Sequence, residues 1–372
     1  MASKRIAQLD VLSSATALST RAKILLSPCL SHSTPHSRTF HVFREVAPLR
    51  KHRRELLLKG ETVGLVPTMG ALHAGHLSLA RQAAAENSRV FVSIYVNPTQ
   101  FGVNEDLDSY PKTWDADTHM LGDLDKELAM DGKGRIEAVF APTSKVMYPT
   151  LPPDSTLPGK GSFVTITPLG DVLEGRTRPV FMRGVATVCT KLFNIVEAEQ
   201  VYFGQKDVQQ TVVIKRMVQD FHINTKVRIV PTEREPDGLA MSSRNGYLGE
   251  RRRKIGVVLS QALRAAEAAY RMGKRGRDDI LALAWHVTNR MGMEQDALSE
   301  TERARFEVDY ISLADPETLD ELEEVDASKG AILSGAIKML PLEATRDGEK
   351  LGRGNDEVPV RLIDNIILGP QK

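Results

Sequence analysis

The sequence predicts an α/β fold built on a parallel sheet, with a smaller α/β domain beyond Thr232. Three observations carry this. From Val63 to Val230 short apolar runs alternate with stretches of helical spacing, and strands alternating with helices imply right-handed crossovers and parallel pairing. The run VFVSIYVNP (Val90 to Pro98) is β-branched and aromatic, the composition of a strand buried on both faces. Past Thr232 the texture changes to a turn-rich connector, a long basic helix and three further strand-like runs.

The N-terminal 38 residues are expected to be a disordered leader outside the fold. From Met1 to Arg44 the only acidic residue is Asp10, and Ser and Thr abound in LSSATALST and SHSTPHSR. That is the composition of a mitochondrial transit peptide, the alternative being a tail without an address. The compartment is therefore the cytoplasm or the mitochondrial matrix. A first domain is expected over residues 39–232 and a second, acting as a lid, over 233–372. The 372 residues suffice for more than one core. The 49 Lys plus Arg nearly cancel the 48 Asp plus Glu, which argues against a nucleic-acid partner. Two cysteines exclude a disulfide framework, and no apolar run approaches the length of a membrane span.

Taken in order, Val42, Val46, Leu49 and Leu56 to Leu58 suggest a basic helix ended by Gly60. The stretch VGLVPTMGALHAGHLSLARQAAAE (Val63 to Glu86) then reads as a strand, a tight turn and a helix from about Gly75. Backbone N–H groups at such a helix start can receive an anion, and His73 and His76 flank that mouth. Asn97 and Gln100 fall just past the C-terminal end of the next strand, the edge where open parallel sheets bind ligands. A helix around Trp114 to Leu124 follows. Lys126 to Glu137 reads as a polar surface insertion, Ala138 to Pro142 as a strand and Leu151 to Lys160 as a loop. Ala186 to Glu197 is helical, Val201 to Phe203 a strand, Asp207 to Phe221 a helix N-capped by Asp207, and Val227 to Val230 a strand. Beyond the connector Glu233 to Leu248, one helix is expected over Glu250 to Met272. The strands VDYISLAD, AILSGAIKML and VRLIDNIIL come next, the last two parted by a disordered loop, Glu343 to Glu357.

The chain lacks a GxxxxGK[ST] loop, and no GxGxxG follows the first strand. A mononucleotide site must use other donors, and the candidates are His73, His76, Lys206, Ser242, Ser243 and Arg244. Convergence of such groups would stabilise charge on a triphosphate under attack. The HxxH spacing alone also admits zinc, although no nearby Cys or third His supports that reading.

VPTMGALHAGH, SIYVNPTQFG, DLDSYP, FGQKDVQQ, DGLAMSSRNGYL and RLIDN, in that order from about Phe40 to Leu368, resemble the pantothenate synthetase (pantoate–β-alanine ligase) family. That family belongs to the nucleotidyltransferase superfamily with the HxGH signature. The resemblance implies a Rossmann-like N-terminal domain, a smaller C-terminal domain, a homodimer, and ATP with Mg2+. It also implies condensation of pantoate with β-alanine through a pantoyl adenylate. By position, the ATP site would be Met69, Gly70, Ala71, Leu72, His73, Ala74, Gly75 and His76, with Gly204, Gln205, Lys206, Asp207, Glu233, Met241, Ser242, Ser243 and Arg244. Catalysis would fall to His76, His73, Lys206 and Arg244, with His76 as proton donor. Gln100 and Gln210 would hold pantoate, with Asn97, Tyr110, Phe203 and Arg178 around them. Three segments depart from the family: Phe181 and Met182 in RPVFM, Gln205 in GQKD, and Ala116, which leaves Asp117 and no assigned metal ligands. The alternatives are another HxGH nucleotidyltransferase, such as an aminoacyl-tRNA synthetase, and a non-catalytic nucleotide-binding paralogue.

Overall fold

The computed structural model describes residues 40–102, 107–353 and 355–371; the predicted leader lies outside them. Six strands form a parallel sheet: β1 (His41–Phe43), β2 (Val63–Thr68), β3 (Arg89–Ile94), β4 (Arg135–Phe140), β5 (Gln200–Gly204) and β6 (Lys226–Val230). Their spatial order is β1-β4-β3-β2-β5-β6. After the edge strand β1 the chain enters mid-sheet at β2, builds outward through β3 and β4, then returns to place β5 on the other flank of β2. That reversal makes β2 and β5 a topological switch point, and the crevice at their C-terminal ends is where such a sheet takes a ligand.

Helices cover both faces because successive side chains on each strand point opposite ways. Leu65, Phe91 and Phe203 pack toward α1 (Val46–Leu58), α6 (Phe181–Val196) and α7 (Val208–Asp220). Val66, Val90, Val92 and Tyr202 pack toward α2 (Ala74–Glu86) and α3 (Trp114–Met130). Each fully buried side chain of this size stabilises the fold by about 1.5–3 kcal/mol. Two single-turn helices, α4 (Ser144–Met147) and α5 (Glu174–Thr177), punctuate the loop between β4 and α6.

Past β6 the connector runs into α8 (Gly249–Ile255), α9 (Val258–Arg271) and α10 (Arg277–Asp296). These pack on an antiparallel sheet of β7 (Phe306–Ala314), β8 (Ala331–Met339) and β9 (Val360–Leu368). Among the described residues no helix is long and apolar enough to cross a membrane.

Several sequence expectations need correction. His41–Phe43 is an edge strand, three residues being too few to show a period. The supposed insertion at Lys126 to Glu137 is the last turn of α3, a tight turn, and the start of β4. Its Arg135 pairs with the fully buried Asp125 at 2.5 Å. The single helix over Glu250 to Met272 is two helices broken at Gly256 and Val257, where a Cβ on Gly256 would meet Leu362 at 3.0 Å. Helix α10 was not foreseen, because its buried face of Ile280, Leu281, Ala284 and Thr288 mixes small and polar residues. The tract at Glu343 to Glu357 is irregular but anchored, with Arg251 on Glu349 (2.5 Å) and Arg252 on Asp356 (2.6 Å).

Candidate functional site

A cavity of about 910 Å³ opens at the switch point. It is lined from β2 and α2 by Met69, His73, Gly75 and His76, and from the turn after β5 by Gly204, Lys206 and Asp207. Glu233, Met241, Ser242, Ser243 and Arg244 close it from the connector, and Gln100, Tyr110, Arg178, Phe203 and Gln210 from one end. The predicted residues Gly70, Ala71, Leu72, Ala74, Gln205 and Asn97 do not line it.

The HxGH turn explains part of this. Expected to bind an anion through its amides, the turn spends them internally. His73 is the N-cap of α2; its Nδ1 accepts from Gly75 N–H at 3.2 Å, and its carbonyl accepts from the amides of His76 and Leu77. The amides of Ala71 and Leu72 donate to the two carboxylate oxygens of Asp117 at 3.0 and 2.8 Å. Gly70 and Ala71 both have positive φ, a turn that aims the successive amides of Ala71 and Leu72 at this buried internal anion. What faces the cavity is imidazole. The His73 and His76 rings lie 4.1 Å apart, centroid to centroid.

Gly75 is required by this fold-back. A Cβ there would sit 2.9 Å from His73 Cε1. Gly75→Ala is therefore expected to leave the fold intact and displace the His73 ring, lowering turnover by about 10²-fold, the usual consequence of an ångström-scale misplacement. Steady-state kinetics alongside circular dichroism would check it.

Burial pushes the His73 imidazolium down to about 4, with the Lys206 charge adding to the effect. Burial, then His73 and Lys206, pushes His76 down to about 3. Both rings are neutral near pH 7. His73 carries its proton on Nε2, because Nδ1 is already an acceptor. Among the described residues, three that line the cavity each keep a buried side-chain atom without a hydrogen-bond partner: His76 Nδ1, Thr232 Oγ1 and Asn245 Oδ1. An unpaired buried polar group costs about 1–3 kcal/mol, and a polar ligand would relieve that cost once the side chain turns to meet it.

Lys206 Nζ contacts the Asp207 carboxylate at 3.3 Å. Asp207 occupies the N-cap position of α7, but its side chain makes no cap hydrogen bond, contrary to the sequence expectation. Gln205 turns away and donates to Asn365 Oδ1 at 3.1 Å. In return Asn365 Nδ2 donates to the carbonyls of Gln205 and Lys206, both at 2.9 Å. Asn97 sits behind the wall, holding Gln100 Oε1 at 3.1 Å and the Gly184 carbonyl at 3.1 Å. Gln100 Nε2 rests on the thioether of Met69. Arg178 binds Glu174 at 3.0 Å and stacks over Phe181, the residue that departs from the family pattern, at 3.9 Å.

Sequence reasoning missed Asp117 as a clamp, the unpaired buried oxygens of Thr232 and Asn245, and Arg361, which crosses from β9 to Glu174 at 3.0 Å. RLIDN was noticed as a motif, but its contacts with the FGQKD turn are visible only in three dimensions. The zinc alternative at HxxH finds no third ligand, since the three-residue ligand group found among the described residues lies elsewhere.

A histidine- and lysine-lined cleft at the switch point of a parallel sheet defines a nucleotide-handling class of α/β enzyme. The chain belongs to the pantoate–β-alanine ligase family, whose profile matches residues 41–367. The pantoate–β-alanine ligase of Saccharomyces cerevisiae is 40% identical over 336 residues, 88% of this chain and 99% of that one. The Thermus thermophilus pantothenate synthetase superposes with a TM-score of 0.69 at 35% identity, covering 89% of this chain and 100% of that one. The Francisella tularensis pantoate–β-alanine ligase, solved with Beta-gamma ATP and β-alanine, superposes with a TM-score of 0.59 at 28% identity, over 88% and 97%.

Proposed function

We propose that this chain condenses pantoate with β-alanine in two steps within the one cavity, at the expense of ATP. The pantoate carboxylate attacks the α-phosphorus of ATP, giving pantoyl adenylate and pyrophosphate. The amine of β-alanine then attacks the acyl carbon, giving pantothenate and AMP. The observation that carries this reading is the gathering of two neutral imidazoles, Lys206, Arg244 and three unpaired buried polar atoms around one cavity.

In this reading His73 and His76 donate hydrogen bonds to the phosphates without adding charge of their own. Lys206 and Arg244 offset the charge that builds on the leaving pyrophosphate. Ser242, Ser243, Met69 and Gly75 complete the nucleotide site, with Glu233 on the adenine side. Gln100 and Gln210 hold pantoate, and Gln100 also faces β-alanine. A thioether is a weak acceptor, so moving the Gln100 amide from Met69 to a pantoate oxygen is favourable. Much of the acceleration comes from holding carboxylate and phosphorus in line. Mg2+ fits on the phosphates, where it would offset charge and keep most of its waters. Asp207, loosely paired with Lys206, is the cavity carboxylate best suited to join it, whereas Asp117 has both oxygens engaged.

Residues 233–372 act as a lid in this proposal. The contacts of Arg361 with Glu174 and of Asn365 with the Lys206 carbonyl support it. Cross-linking the two parts apart should abolish turnover, and full activity in that state would refute the lid. The homodimer implied by the family is checked by mass in solution, and the compartment by the mature N-terminus. The decisive experiment for the activity is ATP–pyrophosphate exchange. It should appear only when pantoate is added; ATP binding without exchange would instead mark a non-catalytic paralogue.

A further inference from the structure

Away from the cavity, toward the N-terminal ends of the parallel strands, three metal-competent side chains meet: His41, His52 and Glu137. They come from three different elements, β1, α1 and β4. One donor atom from each lies within 4.8 Å of the others. His52 Nε2 is 2.6 Å from Glu137 Oε1, and His41 Nε2 is 3.9 Å from the same oxygen. None of the three lines the cavity.

We propose that this cluster binds a divalent transition-metal ion of the Zn2+ type, with two imidazole nitrogens, one carboxylate oxygen and a fourth position for water. The donor set selects the class of ion. Imidazoles suit zinc, copper and nickel, whereas Mg2+ and Ca2+ ask for oxygen. Two His and one Glu is a set that zinc accepts when it keeps an open position. Tetrahedral bonds of about 2.1 Å put neighbouring donors roughly 3.4 Å apart. Reaching that geometry needs the His52–Glu137 contact to open by about 1 Å and His41 to swing inward. The side chain of His41 is 62% exposed, its ring beside those of His52 at 4.8 Å and Phe43 at 6.0 Å, so it can do so.

The surroundings support the same reading. Arg89 Nη1 holds Glu137 Oε2 at 3.3 Å, and Glu61 in turn holds Arg89 at 3.0 Å. The guanidinium thus orients the carboxylate through one oxygen and leaves Oε1 to the ion, as outer-shell partners do. The His52 ring is flanked by Phe91 at 6.3 Å and Phe43 at 5.4 Å, which gives it an apolar side. A hydrogen-bonded pair would need only His52 and Glu137. The second imidazole converging on the same oxygen is what an ion accounts for.

Bound there, the ion ties a three-residue edge strand to α1 and β4. It stabilises the folded chain by mass action, because the ligands gather only in that state. The test uses the full chain stripped with a chelator and titrated with Zn2+ alone, read by calorimetry and thermal denaturation, with Co2+ as a spectroscopic stand-in. One equivalent should bind, the melting temperature should rise, and Co2+ should show the visible bands of a tetrahedral nitrogen- and oxygen-ligated ion. His52→Gln and Glu137→Gln should each weaken binding by at least the roughly 10–100-fold that even an outer-shell loss costs. His41→Asn, at an exposed position, should do the same with the fold unchanged. The absence of a stoichiometric Zn2+ site would overturn the proposal. So would binding that survives in the His41→Asn, His52→Gln double variant.

Discussion

His76→Ala is expected to lower pantoate-dependent ATP–pyrophosphate exchange by about 10²–10³-fold, the usual cost of removing one aligned donor from a site where charge develops. Lys206→Ala should cost at least as much, because it also removes a cation from the cavity wall. Neither change should disturb the fold. His76 leaves its Nδ1 unpaired, and Lys206 gives up a 3.3 Å contact with Asp207. Exchange at wild-type rates from either variant, in protein whose circular dichroism is native, would remove both residues from the chemistry.

The lowered histidine pKa values add a second signature. A folded-state value of about 3 for His76 and about 4 for His73, against 6.5 in the unfolded chain, means that the unfolded chain takes up protons first on acidification. Stability should then fall as pH drops from about 6.5 toward 4, and it should be fully retained above that window. Urea titrations across this range should show a shallower acid-side slope for His76→Ala than for the parent protein. An unchanged slope would mean that the buried imidazole is not the group responsible.

Asp117→Asn carries the second large effect. The carboxylate accepts from the Ala71 and Leu72 amides and from the Thr113 hydroxyl, and Ala71 is held at φ +51°. An asparagine turns one acceptor into a donor facing another donor. Each buried group left unpaired costs about 1–3 kcal/mol, and the left-handed Ala71 costs about 1–3 kcal/mol by itself. The turn that carries His73 and His76 should relax, with exchange falling by about 10²-fold and stability to urea falling measurably. A variant that keeps both would show that the turn holds its shape without the clamp, and that Asp117 is no more than a buried acid.

Two of the three departures from the family pattern gain a physical account from the same geometry. Gln205 can donate to Asn365 where a glutamate could not, so the lost negative charge is exchanged for a link between β9 and the turn bearing Lys206. Phe181 offers its ring face to Arg178, which also grips Glu174, and so keeps that guanidinium at the cavity wall without a histidine. Ala116 gains no comparable account.

The sequence alone determined the parallel alternation from Val63 to Val230, the turns that bear His73, His76 and Lys206, and the family. These are local signals: hydrophobic period, turn residues and long motifs in a given order. Only the tertiary structure decided which polar groups around the cavity remain unpaired. Asn97 and Gln205 look like site residues in sequence, yet each is spent on a partner inside the protein. Thr232 and Asn245 look like ordinary turn residues, yet each lines the cavity and keeps a buried side-chain oxygen unpaired. The reason is distance in space. Gln205 meets Asn365 across 160 positions of chain, and such a pairing follows from strand order and register, which no local pattern encodes.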